Sequence, residues 1–121
     1  MDYQKIINLE DSNGYVAFVD SIYDGDTITC TVYLGLSMKA TDQKIRLYGI
    51  DTPELRGDEK EAGKEARDYL RGLILNKKIT LHTVKNDKRD KYGRLLGIIE
   101  YQGDIINQDL LDKGYAELYD R

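Results

Sequence analysis

Two hydrophobic periods alternate along the chain. Residues 15–22, 27–34 and 44–50 are short runs rich in Val, Ile, Thr and Tyr, each bounded by Gly or Asp, and two similar runs follow at 78–84 and 95–101. That composition and length, closed by turn formers, predicts five strands. Between the third and fourth runs, Ala62, Ala66, Tyr69, Leu70, Leu73 and Ile74 recur at helical spacing with charged residues on the opposite face. This stretch predicts an amphipathic helix. A shorter helix is predicted over 106–113, where Ile106, Leu110 and Leu111 are apolar and Gly114 stands as a C-terminal stop.

Residues 1–14 carry few periodic apolar positions and end in the turn cluster Asp11-Ser12-Asn13-Gly14, so they read as an N-terminal arm or an extra edge strand. Residues 15–121 read as one domain. Three strands, a long helix, two strands and a short helix predict a mainly β, α+β fold. The plan is a five-stranded Greek-key barrel of the OB-fold type, with the long helix between strands 3 and 4 and the short one after strand 5. It is a plan that binds oligonucleotides or oligosaccharides, although fold alone does not assign function.

At 121 residues, 40% hydrophobic and 33% charged, the chain suits a single soluble domain with its own core. The one cysteine, Cys30, lies in a strand-like run and reads as a buried, inert thiol. No run approaches the length of a membrane span. The first residues lack a basic segment followed by an apolar core, so a cytoplasmic protein is expected, or a secreted one if a leader has been removed. A monomer is expected.

The net charge of −4 argues against a broad basic face. It is unevenly spread, however. Residues 85–94 hold five basic residues against two acidic ones, whereas 101–121 hold five acidic against two basic. Screening beyond about 8 Å at physiological salt lets such a basic patch act locally.

Chemistry concentrates where the third run stops. Arg46-Leu47-Tyr48-Gly49-Ile50 leads into Asp51-Thr52-Pro53-Glu54, and Asp24-Gly25-Asp26-Thr27 stands upstream. Pro53 ends the strand and pushes Thr52 into an extended conformation, so a turn can bring Asp51 and Glu54 toward one point. Two Asp carboxylates and the Thr52 carbonyl would supply part of the oxygen shell of a hard cation such as Ca²⁺, with Asp26 the natural second acid. Each motif alone is more often an ordinary turn. Arg46 has the weakest bland alternative, because an Arg inside an apolar strand is costly unless its head is paired or reaches a wet cleft. Arg94, after a Tyr-Gly turn, could by itself be a solvated charge, and Asp90 reads as a turn or capping acid. His82 is the single histidine, which excludes His-based metal clusters and Cys/His triads, and it reads as structural. An EF-hand starting at Asp24 fails, since its twelfth position is Gly35.

Three segments in this order, Asp24-Gly25-Asp26-Thr27, then Arg46 through Glu54, then Asp90-Lys91-Tyr92-Gly93-Arg94, carry a resemblance to the staphylococcal nuclease (thermonuclease-like) family over roughly residues 15–119. Gly63-Lys64-Glu65-Ala66 and Gly103-Asp104-Ile105-Ile106-Asn107 are weaker echoes. The resemblance implies a Ca²⁺-dependent phosphodiesterase, endonuclease or exonuclease, acting on DNA or RNA, with a preference for single strands and 3′-phosphate products. It implies Asp26, Asp51 and the Thr52 carbonyl as metal ligands, with Asp24 outside the ligand set. Glu54 falls on the general base or water positioner, Arg46 and Arg94 on the two arginines that grip the phosphate, and Tyr92 on a tyrosine near the bound nucleotide. Tyr115 and Tyr119 lie near further family tyrosines, but out of register, and take no role. The connection between Asp26 and Arg46 is longer than in the best-known member, with 34–43 as its expected tip, and the loop from Glu54 to Glu65 is shorter and nearly neutral. The rival expectation is a barrel of this type that has lost catalysis and serves as a nucleic-acid or protein recognition module.

Overall fold

The Val-, Ile- and Thr-rich runs pair as the strands of a closed barrel in a computed structural model that describes residues 12–119. Strands β1 (Asn13–Asp24), β2 (Thr27–Gly35) and β3 (Met38–Leu47) form an antiparallel meander. Strand β5 (Lys78–Thr83) pairs with the other edge of β1, and β6 (Leu95–Tyr101) pairs with β5. Closure comes from a short parallel match of β3 with β6, Ile45 to Leu47 against Leu95 to Gly97. Two-residue strands complete the set: β4 (Ile50–Asp51) pairs with β8 (Glu117–Leu118), and β7 (Asp104–Ile105) extends β6. Helices α1 (Lys60–Ile74) and α2 (Ile106–Asp112) stand where the two helical periods lie. The result is the mainly β, five-stranded barrel with two helices that the sequence predicts. The proposed arm over 1–14 falls outside the described residues except for its last three, of which Asn13 and Gly14 already belong to β1.

Two boundaries differ from expectation. The anticipated loop over 34–43 is mostly paired strand, with Val32 opposite Ala40 and Gly35 opposite Met38. A two-residue turn at Leu36 and Ser37, both with positive φ (53° and 64°), joins the strands. Such a turn matches the twist of a hairpin, but Leu-Ser lacks the Asn-Gly signature that would have revealed it. The third predicted strand, 44–50, is broken after Leu47. Gly49 adopts φ +82°, a conformation that only glycine reaches without strain, and the chain leaves the barrel to begin β4.

Inward residues of the strands make one core, including Val19, Ile28, Ile45, Leu47, Leu81 and Ile99, and Leu70 and Ile74 of α1 cap it. Cys30 is buried there, and burial pushes its thiol up to about 12, which keeps it inert. Arg71 of α1 donates to the Ile22 carbonyl at 2.8 Å and fixes the helix against β1. No helix among the described residues is long and apolar enough to cross a membrane.

The buried amide of Asn107 joins the elements that the sequence separates. Its oxygen accepts the Ile99 N–H at 3.0 Å, and its Nδ2 donates to the Tyr48 carbonyl at 2.9 Å and the Gly97 carbonyl at 3.1 Å. It thereby ties α2 to β6 and to the turn that follows Arg46. Asn107→Ala would leave the Ile99 N–H and the Tyr48 carbonyl without this partner, each costing about 1–3 kcal/mol if left unmatched, while the Gly97 carbonyl keeps the Tyr48 N–H at 2.8 Å. Urea titration should show a loss of about 3 kcal/mol after partial relaxation; a loss within experimental error would show that water replaces the amide.

Candidate active site

The end of β3 and the β1–β2 turn are stitched together by backbone, the Leu47 N–H donating to the Asp26 carbonyl at 2.8 Å. This places Asp26 beneath Arg46. Only 6% of Asp26 is exposed, and a carboxylate so enclosed must be surrounded by donors. Its Oδ2 accepts the Thr52 N–H at 3.0 Å and the Thr52 hydroxyl at 3.1 Å, and lies 3.4 Å from Nη1 of Arg46. Its Oδ1 accepts the Thr27 hydroxyl at 3.2 Å. The Arg46 fork continues to Asp51, Nη2 to Oδ1 at 3.3 Å, and Nη1 also donates to its neighbour's carbonyl at Leu47. Asp26, Arg46, Asp51 and Thr52 therefore form one connected group.

Arg94 stands just before β6, the strand that pairs with the end of β3. Asp90 holds it by a 2.7 Å bond to Nε and also accepts the backbone N–H groups of Tyr92 and Arg94. These donors outweigh burial and hold the Asp90 carboxyl below its ordinary range. Nη1 of Arg94 then reaches the Thr27 hydroxyl at 3.5 Å, so Thr27 stands between Arg94 and Asp26. The exposed Tyr92 ring lies 5.2 Å from the Arg94 guanidinium carbon.

Glu54 is placed by helix packing. An atom built as Cβ on Gly63 of α1 would sit 2.3 Å from the Glu54 carbonyl oxygen, so only a glycine lets the corner seat against the helix. The Glu54 N–H donates to Glu59, and its carboxylate pairs with Arg56 at 3.1 Å, both side chains mostly in solvent. Glu54 makes no direct bond to Arg46 or Arg94 among the described contacts, but its charge reaches Asp51.

Acid crowding defines the electrostatics. Burial, then the charge of Asp26, pushes Asp24 up to about 6. Burial and Asp26 likewise raise Asp51, with Glu59 and Glu54 adding to the effect against Arg46. One guanidinium thus faces more negative charge than it neutralises. No cluster of three or more His, Cys, Asp or Glu side chains of metal-binding geometry occurs among the described residues. The carboxylates of Asp26 and Asp51 are nonetheless hard oxygen donors in a negative field, the chemistry a hard divalent cation would need.

A groove of about 850 Å³ opens at Arg46 and Arg94, without Asp26, Asp51, Thr52 or Glu54 on its lining. Arg46, Arg94, Tyr92, Tyr119, Tyr48, Lys85 and Lys88 are among the residues that line it. Three contributors escaped the sequence reading. Thr27 shows no signal beyond its place in a turn motif. Asp90 reads as a turn acid, which it is, but its grip on Arg94 depends on the loop's closed form. Tyr119 lies with its ring 5.6 Å from the Arg46 guanidinium carbon. The β4–β8 pairing and a bond from the Tyr119 N–H to the Gly49 carbonyl put it there, and no local pattern announces that pairing. Tyr115 instead stacks on Tyr69 of α1, with ring centroids 4.4 Å apart.

The sequence model of the family described as "Staphylococcal nuclease homologue" matches residues 44–121. Endonuclease YhcR of Bacillus subtilis (strain 168) is 37% identical over 115 residues, which cover 87% of this chain and 9% of that protein. Thermonuclease of Staphylococcus hyicus is 30% identical over 115 residues, covering 93% of this chain and 64% of the relative. SPbeta prophage-derived endonuclease YokF of Bacillus subtilis (strain 168) is 34% identical over 103 residues, covering 83% and 33% respectively. The chain spans less than two thirds of the length of each of these curated relatives.

The Asp24 shift has a testable consequence. Its folded pKa lies above the ordinary 3.8, so between about pH 4 and pH 6 the folded protein holds a proton that the unfolded chain has lost. That contribution to stability falls as pH rises through the window and stays low above it. Asp24→Asn, melted in chelator, should exceed the wild-type Tm by a few degrees at pH 7.5, with the gap closing at pH 4. An equal gap at both pH values would refute the assignment.

Proposed function

The chain belongs to the staphylococcal nuclease homologue family, and from that footing we propose that it hydrolyses phosphodiester bonds of DNA or RNA in a Ca²⁺-dependent reaction, acting on single strands and leaving 3′-phosphate ends. The observation that carries this reading is the pair of arginines. Arg46 and Arg94 line one groove at the neighbouring strands β3 and β6, each oriented by a carboxylate.

Asp26, Asp51 and the Thr52 carbonyl would hold the cation. When bound, it supplies positive charge against that gathering on the phosphate and favours ionisation of water. The rest of the chemistry belongs to side chains. Negative charge builds on the non-bridging oxygens of the phosphate in the transition state, so catalysis is largely positioning and electrostatic stabilisation. A planar guanidinium meets two phosphate oxygens at once, and both arginines are already held in place before substrate arrives. Asp90 fixes the direction of the Arg94 fork, while Asp26 and Asp51 fix that of Arg46. Glu54 orients the attacking water or accepts its proton. Its pairing with exposed Arg56 is a surface contact that opens at little cost. Tyr92 offers its ring to the nucleotide beside the clamp.

Incubation with labelled single-stranded DNA tests the reading: cleavage is expected in Ca²⁺ and none in chelator. Arg94→Ala or Arg46→Ala should lower kcat by about 10²–10³-fold. Binding without turnover, undiminished in Arg94→Ala, would mark a recognition module instead. A second variant tests the placement of Glu54. Gly63→Ala must push the Glu54 backbone off α1, and kcat should fall well beyond any loss of Tm; unchanged kcat would separate Glu54 from the reaction.

A further inference from the structure

The groove does not end at the arginines. Tyr48 follows Arg46 by two residues, in the turn where β3 ends, and it is half-buried on the cluster of Val84 and Ile98. The ammonium of Lys85 lies 5.8 Å from the centre of the Tyr48 ring, and Lys88, three residues on in the same loop, lines the same groove. Arg89, by contrast, is committed to the protein, donating to the Gly93 carbonyl and the Gln43 side chain.

The loop that carries these lysines is strained. Lys85, Asn86 and Asp87 all take positive φ, at 53°, 59° and 61°. Asn and Asp tolerate that region, but Lys does not, and three in succession persist only where the surroundings enforce them. Asp87 provides the enforcement: its carboxylate accepts from the Thr83 hydroxyl, from Asn13 at 3.2 Å and from Tyr15 at 3.0 Å. The strand ends thus hold a costly turn whose result is to set Lys85 over Tyr48.

Resting on the nucleic-acid reading above, we propose that Tyr48, Lys85 and Lys88 form a second nucleotide subsite adjoining the phosphate clamp, so that the protein takes an extended single strand. Tyr48 stacks a base, and the lysines hold the adjoining phosphate. Lys85 over the ring is a placeholder in the free protein. A base stacked on an aromatic ring gains more than an exposed ammonium does, so the base displaces Lys85 toward the backbone. Lys is suited to this as a flexible point charge. The contact reads no sequence, because every base has a stacking face.

Fluorescence anisotropy with labelled oligothymidylates tests the subsite in chelator, where turnover does not enter. A dinucleotide should bind at least tenfold more weakly than an octanucleotide. Tyr48→Phe should keep the octanucleotide affinity and Tyr48→Ala lose about tenfold, with thermal melts confirming the fold of each. The double variant Lys85→Ala/Lys88→Ala, altered only at exposed positions, should flatten the salt dependence of octanucleotide binding by about 1.4 log units per log unit of salt, about 0.7 for each lost phosphate contact. Octanucleotide binding unchanged in affinity and salt slope across these variants would overturn the subsite while leaving the clamp intact. Failure of the wild type to bind either oligonucleotide would remove the nucleic-acid reading together with the subsite.

Discussion

The near-complete burial of the Asp26 carboxylate is the constraint on which the site depends. An ionised group so enclosed is tolerated only when donors surround it. Here they come from three separate stretches: Thr27 at the start of β2, Arg46 near the end of β3, and both the N–H and hydroxyl of Thr52 beyond β4. Satisfying one carboxylate therefore fixes the β1–β2 turn, aims the guanidinium and sets the Asp51-Thr52-Pro53-Glu54 corner. Arg46, held between Asp26 and Asp51, faces the groove in a defined orientation.

The remaining site residues are held by the way the barrel closes. Parallel pairing of β3 with β6 brings Arg46 level with Leu96, and the 85–94 loop hangs from that junction. Asn107 secures it from inside by bonding both sides of the closure. On the outside, Gly63 lets α1 approach close enough to seat the Glu54 backbone. Packing and site geometry are thus one problem: the contacts that close the core also set the distance between the two arginines.

Charge follows the same division between local and total. A chain of net charge −4 presents a groove lined by Arg46, Lys85, Lys88 and Arg94, because the acids beside these residues are used as orienting partners within the protein. Asp90 and Asp87 do this for the loop, and both carboxyls are held below their ordinary range by hydrogen bonds received. Asp24 and Asp51 are the contrary case, raised by burial and by the nearness of Asp26. Positive and negative potential therefore lie side by side, as a site for an anion next to a cation would require.

The sequence by itself determined the parts that local physics controls. Period-two runs gave the barrel strands, helical spacing from Ala62 to Ile74 gave α1, and Pro53 dictated a corner after Asp51 and Thr52. The order of the Asp, Arg and Tyr-Gly-Arg segments singled out Asp26, Arg46, Asp51, Thr52 and Arg94; the fold bonds the first four into one group and places Arg46 and Arg94 on the lining of one groove. Only the tertiary structure decided what depends on contacts between distant segments. The extension of the β2–β3 hairpin rests on a Leu-Ser turn with no local signature, and Tyr119 reaches Arg46 through a two-residue strand pairing. Thr27 became a bridge because the pairing of β6 with β3 brings Arg94 to the β1–β2 turn. Propensity and periodicity are properties of a few adjacent residues, whereas register, closure and the burial of Asp26 exist only once the whole chain has packed.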